Sequence, residues 1–296
     1  MKPVNVILNP YARRWRAGSR VDAVRAAFTT AGVQPDIIQT KKPREGIVLA
    51  ETAVTERYDA VMAAGGDGTL NEVANGLLRA AGEGSTLPFG VMPIGTANDF
   101  SDMVGLPRNL NAAAQIIAAG QTRQIDAGRI NDYFFINNCA VAMEPMITLE
   151  NIRLKRLSGE LRYVVALVKG LIKLKAWDMQ VRWDGGGHDG PAYLLSVCNG
   201  PRTGGFYMAP DAAVDDGLFD FVFAPEVPKL TVLVILVKLF RKTHIYHPQV
   251  VYGRTRHIHI SSSPGTPIHA DGEIIAEAAT EIEYQILPGK LTLLQS

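Results

Sequence analysis

The sequence predicts an α/β plus β fold, in which an N-terminal α/β domain over residues 1–125 precedes a C-terminal β-rich, sandwich-like domain over residues 126–296. In the first part, short apolar runs alternate with helix-like segments, a pattern typical of a parallel sheet covered on both faces. After residue 125 most apolar runs resemble strands, and turn signals such as "WDGGGHDGP" separate some of them. A chain of 296 residues, 47% of them apolar, is long enough to bury such a core.

Strands and helices are predicted to alternate through the first domain. The predicted strands cover residues 4–8, 33–40, 59–64 and 89–94, and Pro35 indicates that the second begins late. One helix is predicted between Ser19, a favoured N-cap residue, and Gly32, and two more cover 46–58 and 71–81. This alternation predicts a parallel sheet.

The second domain is predicted to be mainly antiparallel. Its strand-like runs are "YFFINNCAVAM", "MQVRW", "AYLLSVC", "LFDFVF", "QVVYG", "HIHIS", "EIEYQIL" and "LTLLQ". Helical periodicity returns in only two places, 161–177 and 228–243. No low-complexity linker marks the boundary near residue 125, so the last strand has room to return to the first domain.

Composition excludes some classes of protein. Thirty basic and twenty-nine acidic residues give a net charge of +1, which argues against a nucleic-acid binder. Cys139 and Cys198 lie in apolar contexts, as expected of buried thiols in a reducing compartment. The apolar run over 230–237 is too short to span a bilayer, and the N-terminal apolar stretch is too short for a signal peptide. We therefore expect a cytoplasmic protein, with peripheral contact at the inner membrane face left open.

The stretch "AAGGDGTLNEVANGL" (63–77) leaves a predicted strand and opens a helix. Backbone N–H groups at a helix N-terminus suit a phosphate, and Gly65, Gly66 and Gly68 allow close approach. Neither the Walker pattern nor GxGxxG occurs in the chain. Asp67 stands at a position where a phosphate-binding loop would be expected to carry a cationic side chain. A carboxylate there predicts one of two roles. Either a divalent cation lies between the carboxylate and the phosphate, bound directly or through water, or Asp67 takes the proton of an acceptor hydroxyl group.

A second polar loop, "PIGTANDF", follows the strand predicted at 89–94. It carries Gly95, Thr96, Asn98 and Asp99. Both loops are expected at the carboxyl edge of one sheet, where open α/β sheets bind ligands. For Asn98 alone, a helix cap is an equally good interpretation. The two loops together predict a nucleotide-binding domain.

These two motifs resemble the diacylglycerol kinase catalytic family, and within it the bacterial soluble lipid kinases of the DgkB/YegS type. The similarity covers essentially the whole chain. It includes "NP" at 9–10, Thr40 at the end of the second strand, "DDG" at 215–217 and "DGE" at 271–273. GGDGT alone is shared with NAD kinases and phosphofructokinases, whereas its pairing with GTANDF and a late DGE is far more specific.

The resemblance implies two domains with an active site in the cleft between them, and transfer of the ATP γ-phosphoryl group to a membrane lipid hydroxyl with Mg²⁺. It implies a nucleotide site formed by Asn9, Pro10, Thr40, Gly65, Gly66, Asp67, Gly68, Thr69, Leu70, Asn71, Gly95, Thr96, Asn98 and Asp99.

The resemblance also assigns carboxylates outside the nucleotide loops. Asp67, Asp99 and Asp126 are expected to form an acidic network near the phosphates. Glu273 is implied as the proton acceptor, with Asp271 beside it.

A second cation site is implied at the "DDG" turn. It would consist of the Asp216 carboxylate with the carbonyls of Ala213 and Leu218. The family's basic position, often a lysine shortly before a glycine and a tyrosine-bearing helix, falls on Lys155 or Arg156.

Simpler interpretations stay open for several of these segments. "DDG" also fits a solvated acidic turn, and "HADGEI" fits a two-residue hairpin whose tip presents the base. The segments "GELRYVVALVKGLIKLKAW" and "KLTVLVILVKLFRK" suit an anionic membrane surface, or else are ordinary core-facing helices. A homodimer is left open.

Two other functions compete with the lipid kinase. One is an NAD-kinase-like phosphotransferase with a polar acceptor, and the other is a catalytically silent lipid-binding protein. The sequence leaves the acceptor lipid open among diacylglycerol, phosphatidylglycerol, sphingoid bases and others.

Overall fold

The computed structural model describes residues 4–11, 20–96, 98–153, 165, 169–171 and 173–295. Ser19, Lys155 and Arg156 lie outside the described residues. Through residue 130 the strands are β1 (Val4–Leu8), β2 (Pro35–Gln39), β3 (Val61–Gly65), β4 (Phe89–Pro93) and β5 (Thr122–Ile130). The helices are α1 (Val21–Thr30), α2 (Glu45–Thr55), α3 (Asp67–Ala81), α4 (Asp99–Met103) and α5 (Leu110–Ala119).

The first four strands form a parallel sheet in the order β2-β1-β3-β4. Strands β1, β3 and β4 are buried along their whole length, as expected when helices cover both faces. Residues of α2 and α3 pack on one face, and residues of α1 and α5 pack on the other. The carboxyl ends of β3 and β4 therefore bring the two polar loops to one edge.

The rest of the chain is mainly antiparallel. Its strands are β6 (Tyr133–Phe135), β7 (Asn138–Ala142), β8 (Trp177–Trp183), β9 (Gly186–Cys198), β10 (Arg202–Thr203), β11 (Phe206–Tyr207), β12 (Phe219–Pro225), β13 (Val251–Thr255), β14 (His257–Ala270) and β15 (Glu273–Leu294). The helices are α6 (Met143–Arg153) and α7 (Lys229–Phe240), followed by a 3₁₀ turn at His244–Tyr246. Sheet order runs β13-β12-β9-β7-β14-β15, and the strands enclose an apolar core. This arrangement confirms the predicted α/β plus β fold class.

Strand β15 joins the two regions. Its first half pairs antiparallel with β14, and its second half pairs antiparallel with β5. Near its end, Leu293 lies in parallel register with Phe89 of β4. One continuous sheet therefore runs from the parallel strands into the antiparallel ones.

Some helix predictions need correction. Helix α6 was not predicted, and the expectation of only two helical segments after residue 125 is wrong. Pro145 lies in the first turn of α6, where its missing N–H is tolerated. Much of the predicted helix 161–177 lies outside the described residues, and Trp177 instead begins β8 with its side chain buried.

Across the described residues, no helix has both the length and the apolar character that crossing a bilayer requires.

Candidate active site

The two glycine loops touch each other through their backbones. The carbonyl oxygen of Gly65 accepts hydrogen bonds from the N–H groups of Ile94 (3.1 Å) and Gly95 (2.8 Å). A Cβ atom added to Gly95 would overlap the Cα atom of Gly66, so a side chain at residue 95 would force the loops apart. The predicted meeting of these loops at one sheet edge is therefore a backbone contact that requires glycine.

Helix α3 opens directly from the first loop. Gly66 directly precedes this helix. Asn9, which follows β1, donates a hydrogen bond from its Nδ2 to Oγ1 of Thr69 in the first turn (3.1 Å). The first amides of an α-helix lack intrahelical acceptors, and the helix dipole adds partial positive charge there. The cleft in front of them, about 210 Å³, is lined by Asn9, Gly66, Gly68, Thr69, Glu72, Gly95, Thr96 and Glu273. This cleft can receive a phosphate group.

Asp67 faces the second loop. Its carboxylate accepts hydrogen bonds from the backbone N–H groups of Asp99 and Phe100, both at 3.1 Å. It thereby supplies the acceptors that the first amides of α4 lack. Burial raises the pKa of Asp67, while these two hydrogen bonds oppose the rise. Asp67 thus holds the GTANDF loop against the GGDGT loop.

Asp99 contacts the β10–β11 hairpin. Its carboxylate accepts a hydrogen bond from the N–H group of Gly205 (3.0 Å) and lies 3.3 Å from the guanidinium group of Arg202. Both partners belong to the β10–β11 hairpin or its turn. Asn98, just before it, has a left-handed backbone with φ 56°. Asparagine tolerates this conformation better than most residues, which accounts for its position in the turn.

Asp271 and Gly272 form a two-residue turn between β14 and β15, with φ 47° and 85°. The "HADGEI" segment is therefore the hairpin that the sequence predicts. The Asp271 carboxylate accepts backbone hydrogen bonds from Ile136 (2.8 Å), Asn137 (2.8 Å) and Asn138 (3.0 Å). Burial raises its pKa, and these bonds oppose the rise. The carboxylate fixes the hairpin tip to the start of β7.

Asn71 connects this tip to α3. Its Nδ2 donates to Asp271 (2.7 Å), and its Oδ1 accepts from the Tyr133 hydroxyl (2.6 Å). The neighbouring Leu70 packs its side chain in the core. In the structure, Asn71 therefore joins the glycine-loop helix to the β14–β15 turn and to β6.

Glu273 lies opposite the glycine loop. Its Oε1 is 3.6 Å from the position that a Cβ atom on Gly68 would occupy. No hydrogen bond between described residues engages this carboxylate. Burial raises the pKa of Glu273, the charge of Glu72 raises it further, and Arg44 lowers it. An ionisable group with a raised pKa, facing a phosphate-sized cleft, has the position of a general base.

A larger cleft of about 570 Å³ adjoins the first. It is lined by Asn9, Tyr11, Thr40, Lys41, Lys42, Pro43, Arg44, Glu72, Tyr133, Glu273, Ile274 and Ile275. Pro10 stands between Asn9 and Tyr11 in the chain, just after β1. Sequence reasoning missed Lys41, Lys42 and Arg44, although the basic run "TKKPR" directly after β2 was a usable signal. These three cations suit a polyphosphate.

Glu72 organises the rim of this cleft. Its carboxylate accepts hydrogen bonds from the N–H groups of Arg44 (3.0 Å) and Gly46 (2.9 Å), at the N-terminus of α2. Arg44 has a left-handed backbone, and its guanidinium group lies 5.7 Å from the centre of the Tyr133 ring. Burial raises the pKa of Glu72.

The "DDG" turn forms a separate acidic region. The Asp126 carboxylate accepts from the N–H groups of Gly217 and Gly289, both at 2.7 Å, so its hydrogen bonds lead to this turn and not to Asp67 or Asp99. Burial raises the pKa of Asp126.

Asp216 lies in the same turn. It accepts from the N–H group of Leu218 (3.1 Å) and pairs with Arg254. Ala213 lies a few residues before it in the same loop.

Comparison with known proteins agrees with the fold and the loops. The model of the diacylglycerol kinase catalytic domain matches residues 3–130, and that of the YegS C-terminal NAD kinase beta sandwich-like domain matches residues 143–295. A diacylglycerol kinase of Staphylococcus aureus (strain bovine RF122 / ET3-1) is 31% identical over 274 residues, which cover 92% of this chain and 86% of that protein.

Solved structures share the fold, and two of them serve as examples. A diacylglycerol kinase from Bacillus anthracis str. Sterne aligns with a TM-score of 0.81 at 22% identity, covering 100% of this chain and 97% of that one. Yeast NADH kinase complexed with NADH aligns with a TM-score of 0.52 at 10% identity, covering 100% and 84%. Both likenesses concern the fold alone. The two family models and the similarity to the staphylococcal protein, taken with the paired glycine loops, show that this chain belongs to the diacylglycerol kinase catalytic-domain family.

Proposed function

We propose that the protein is an ATP-dependent kinase that transfers the γ-phosphoryl group to a hydroxyl group of a membrane lipid. The observation that carries this proposal is the Glu273 carboxylate, which faces Gly68 of the glycine loop and has no hydrogen-bond partner among the described residues. A base opposite a phosphate-binding loop is the arrangement that phosphoryl transfer to a hydroxyl needs.

Each part of the site has a role in this reaction. The amides at the start of α3, with Asn9 and Thr69, bind phosphate oxygens. The basic residues after β2 offset the charge of the nucleotide along the larger cleft. Glu273 accepts the proton of the lipid hydroxyl group while the hydroxyl oxygen attacks the γ-phosphorus of ATP and ADP leaves. The raised pKa of Glu273 makes its carboxylate a stronger base than an ordinary glutamate.

The remaining carboxylates position these parts. Asp271 holds the hairpin tip that carries Glu273, and Asn71 ties this tip to α3. Asp67 and Asp99 hold the second loop between the first loop and the β10–β11 hairpin. In-line phosphoryl transfer depends mainly on such positioning and on charge neutralisation.

The chemistry of the "DDG" turn fits a magnesium ion. Mg²⁺ prefers oxygen ligands, and the Asp216 carboxylate with the carbonyls of Ala213 and Leu218 would supply three. Asp216 pairs with Arg254, so a cation there would compete with this guanidinium group. At the glycine loop, Asp67 keeps lone pairs for a cation bound through water, and Mg²⁺ bound with ATP would offset phosphate charge there.

The Asp216 assignment is tested by thermal unfolding without ATP. We expect Mg²⁺ to raise the Tm of the wild type and to leave that of Asp216→Ala unchanged. Asp211→Ala is the matched control, because Asp211 is an exposed aspartate five residues before Asp216. This variant should respond to Mg²⁺ like the wild type. Equal responses of all three proteins would remove Asp216 from the site.

Helix α7 offers a contact with the membrane. It exposes a row of large apolar side chains, between 49% and 78% accessible: Leu230, Leu233, Val234, Val237 and Phe240. Their spacing of three or four residues places them along one side of the helix. Lys229 and Lys238 lie on α7, and Arg241 and Lys242 follow it. An apolar row with flanking cations fits an anionic bilayer surface.

The experiment that tests the function is phosphorylation of a lipid panel in mixed micelles with labelled ATP. We expect transfer to a lipid with a free hydroxyl group. Transfer to NAD and to no lipid would establish the polar-acceptor alternative. Lipid binding without any turnover of ATP would establish a silent binding protein.

A further inference from the structure

The β10–β11 hairpin is a ribbon of its own beside the large sheet. Its strands pair with each other and, among the described residues, with no other strand. Two glycines with positive φ form its turn, Gly204 at 56° and Gly205 at 84°. A two-stranded ribbon is marginally stable in water on its own, so the conformation of this one depends on its contacts with neighbouring elements.

One guanidinium group holds the ribbon against α4. Nη2 of Arg202 lies 3.3 Å from Oδ1 of Asp99, and Nη1 donates to Oδ2 of Asp102 (3.4 Å). The other oxygen of Asp99 accepts from the turn amide of Gly205 (3.0 Å). Both carboxylates belong to α4, the helix that follows the GTANDF motif loop, so the ribbon is attached to the second nucleotide loop.

The orientation of Arg202 is set by its own hairpin as well as by α4. Its guanidinium group lies 5.4 Å from the centre of the ring of Tyr207, its partner on β11. This distance is within the range of a cation–π contact. Its Nε is buried and has no hydrogen-bond partner in the described part of the chain. A guanidinium group that is partly removed from water is stabilised by paired charges, and the two carboxylates of α4 supply them.

The charge of Arg202 matters because of what the neighbouring loops are expected to bind. Asp67 at the start of α3 and Asp99 at the start of α4 place two carboxylates beside the phosphate-sized cleft. Only 8% of the Asp99 side chain is accessible, so water screens its charge weakly. A phosphate chain at the helix ends would bring further negative charge, which an uncompensated carboxylate repels. The guanidinium group beside Asp99 offsets one of these charges before the nucleotide arrives.

We propose that Arg202 is a positioning residue of the nucleotide site. It neutralises Asp99 and holds the GTANDF loop in the conformation that receives the ATP phosphates. The proposal rests on the kinase function and adds a residue from outside both glycine loops. Arg202 acts through Asp99 and not on the reacting atoms. The affinity for ATP should therefore depend on it, while turnover of bound ATP should depend on it little.

The test measures nucleotide binding without lipid, by isothermal titration calorimetry with adenylyl imidodiphosphate and Mg²⁺. Arg202→Met removes the charge and keeps a long side chain. We expect its Kd to rise by about tenfold or more, as when a charged group loses its hydrogen-bonded partner. In lipid phosphorylation the KM of ATP should rise likewise, with kcat at saturating ATP close to that of the wild type. Arg202→Lys should recover part of the affinity, because it keeps the charge without the forked geometry.

Two comparisons separate charge neutralisation from a merely structural role. Arg108→Met is the matched control, because Arg108 donates to Asp102 (2.9 and 2.6 Å) and its loss leaves Asp99 paired. This variant should bind the analogue like the wild type. In an Asp99→Asn background, Arg202→Met should have a much smaller effect than in the wild type. High salt should also narrow the difference between the wild type and Arg202→Met, since salt screens the repulsion.

Other results overturn the proposal. An unchanged Kd in Arg202→Met, or an equal loss of affinity with and without the Asp99 carboxylate, removes Arg202 from the nucleotide site. If Arg202→Met does not fold, Tyr207→Leu keeps the charge and removes the ring that orients it. Its Kd should rise by about two- to fivefold, and an unchanged value contradicts the proposal. If the wild type binds the analogue but phosphorylates no lipid, the proposed function fails while the binding data still decide the role of Arg202.

Discussion

Asp271 and Glu273 flank a single glycine, and their carboxylates meet different surroundings. Asp271 accepts three backbone hydrogen bonds and one from Asn71. Glu273 faces Gly68 across the cleft. A carboxylate surrounded by donors is held in place, whereas one with unused lone pairs beside a phosphate site can take up a proton. The two groups therefore divide positioning and base catalysis between them.

Replacing the proposed base should reduce turnover strongly. In Glu273→Gln we expect kcat to fall by about 10²–10⁴-fold, the usual contribution of a general base. The KM of ATP should change little, because the lost interaction belongs to the transition state. Steady-state kinetics check this, with Glu277→Gln, an exposed glutamate of the same strand, as control. Near-native kcat in Glu273→Gln would move the base elsewhere.

The pH dependence of kcat/KM should reflect the surroundings of Glu273. A base acts when deprotonated, so activity falls as the pH drops through its pKa. Burial and Glu72 raise the pKa of Glu273, which places this fall at a higher pH than for an ordinary glutamate. Glu72→Gln should move the fall to lower pH, and Arg44→Gln should move it to higher pH. Shifts in the same direction would contradict the assignment.

Asp271→Asn should chiefly lower stability. Asparagine tolerates the φ of 47° at this position, so the variant isolates the hydrogen bonds from backbone strain. Its amide group would face donors that now meet a carboxylate, and we expect the free energy of unfolding to fall by about 2–3 kcal/mol. Urea unfolding measures this loss. Stability equal to that of the wild type would show that Asp271 does not hold the tip.

Among the elements, α7 separates an exposed side from a packed side. Its exposed row includes Leu233 and Val237, while Val232 is buried beneath it.

In the α/β part, α4 has only five residues and receives its N-terminal acceptors from Asp67 of another helix. Short elements of this kind depend on their neighbours, so the GTANDF loop should keep its conformation only while the GGDGT loop is in place.

The α7 row should govern membrane binding. Changing Leu233 and Val237 together to Glu should weaken sedimentation with vesicles of phosphatidylglycerol and phosphatidylcholine by about tenfold or more, since each buried apolar side chain contributes about 1.5 kcal/mol or more. Phosphorylation of a water-soluble short-chain acceptor should persist.

The control for this double variant is Val48→Glu, because Val48 is an exposed apolar residue on α2. It should bind vesicles like the wild type. Unchanged vesicle binding by the α7 double variant would place the membrane contact on another surface.

At the scale of the whole molecule, β15 pairs with strands of both regions. Its end carries Leu293, which is fully buried in the core of the parallel sheet and lies beside Phe89. Its beginning forms the hairpin that presents Glu273. A single strand therefore carries the proposed base at one end and packs into the core of the parallel sheet at the other.

Leu293→Ala should destabilise both regions together. We expect a loss of about 3 kcal/mol, typical of a buried Leu→Ala change, within one cooperative transition. Leu230→Ala, the same change at an exposed position, should alter stability by less than about 0.5 kcal/mol. Differential scanning calorimetry records the transitions, and two separate ones in the wild type would show that the regions unfold independently.

The sequence by itself determined the fold class, the paired glycine loops, the hairpin at 271–272 and the family. These properties depend on apolar periodicity and turn residues, which act between near neighbours in the chain. The same local signals did not predict α6, because its first turn contains a proline that was not recognised as a helix start.

Only the tertiary structure decided what each polar side chain contacts. Asp67 turns to the amides of α4, Glu273 lies over Gly68, and Arg202 contacts two carboxylates of α4. Asn71 and Asp271 form a hydrogen bond although 200 positions separate them in the chain. Such contacts arise when packing buries a polar group and its partner must come from whichever strand or helix the core brings beside it, which no local pattern of residues encodes.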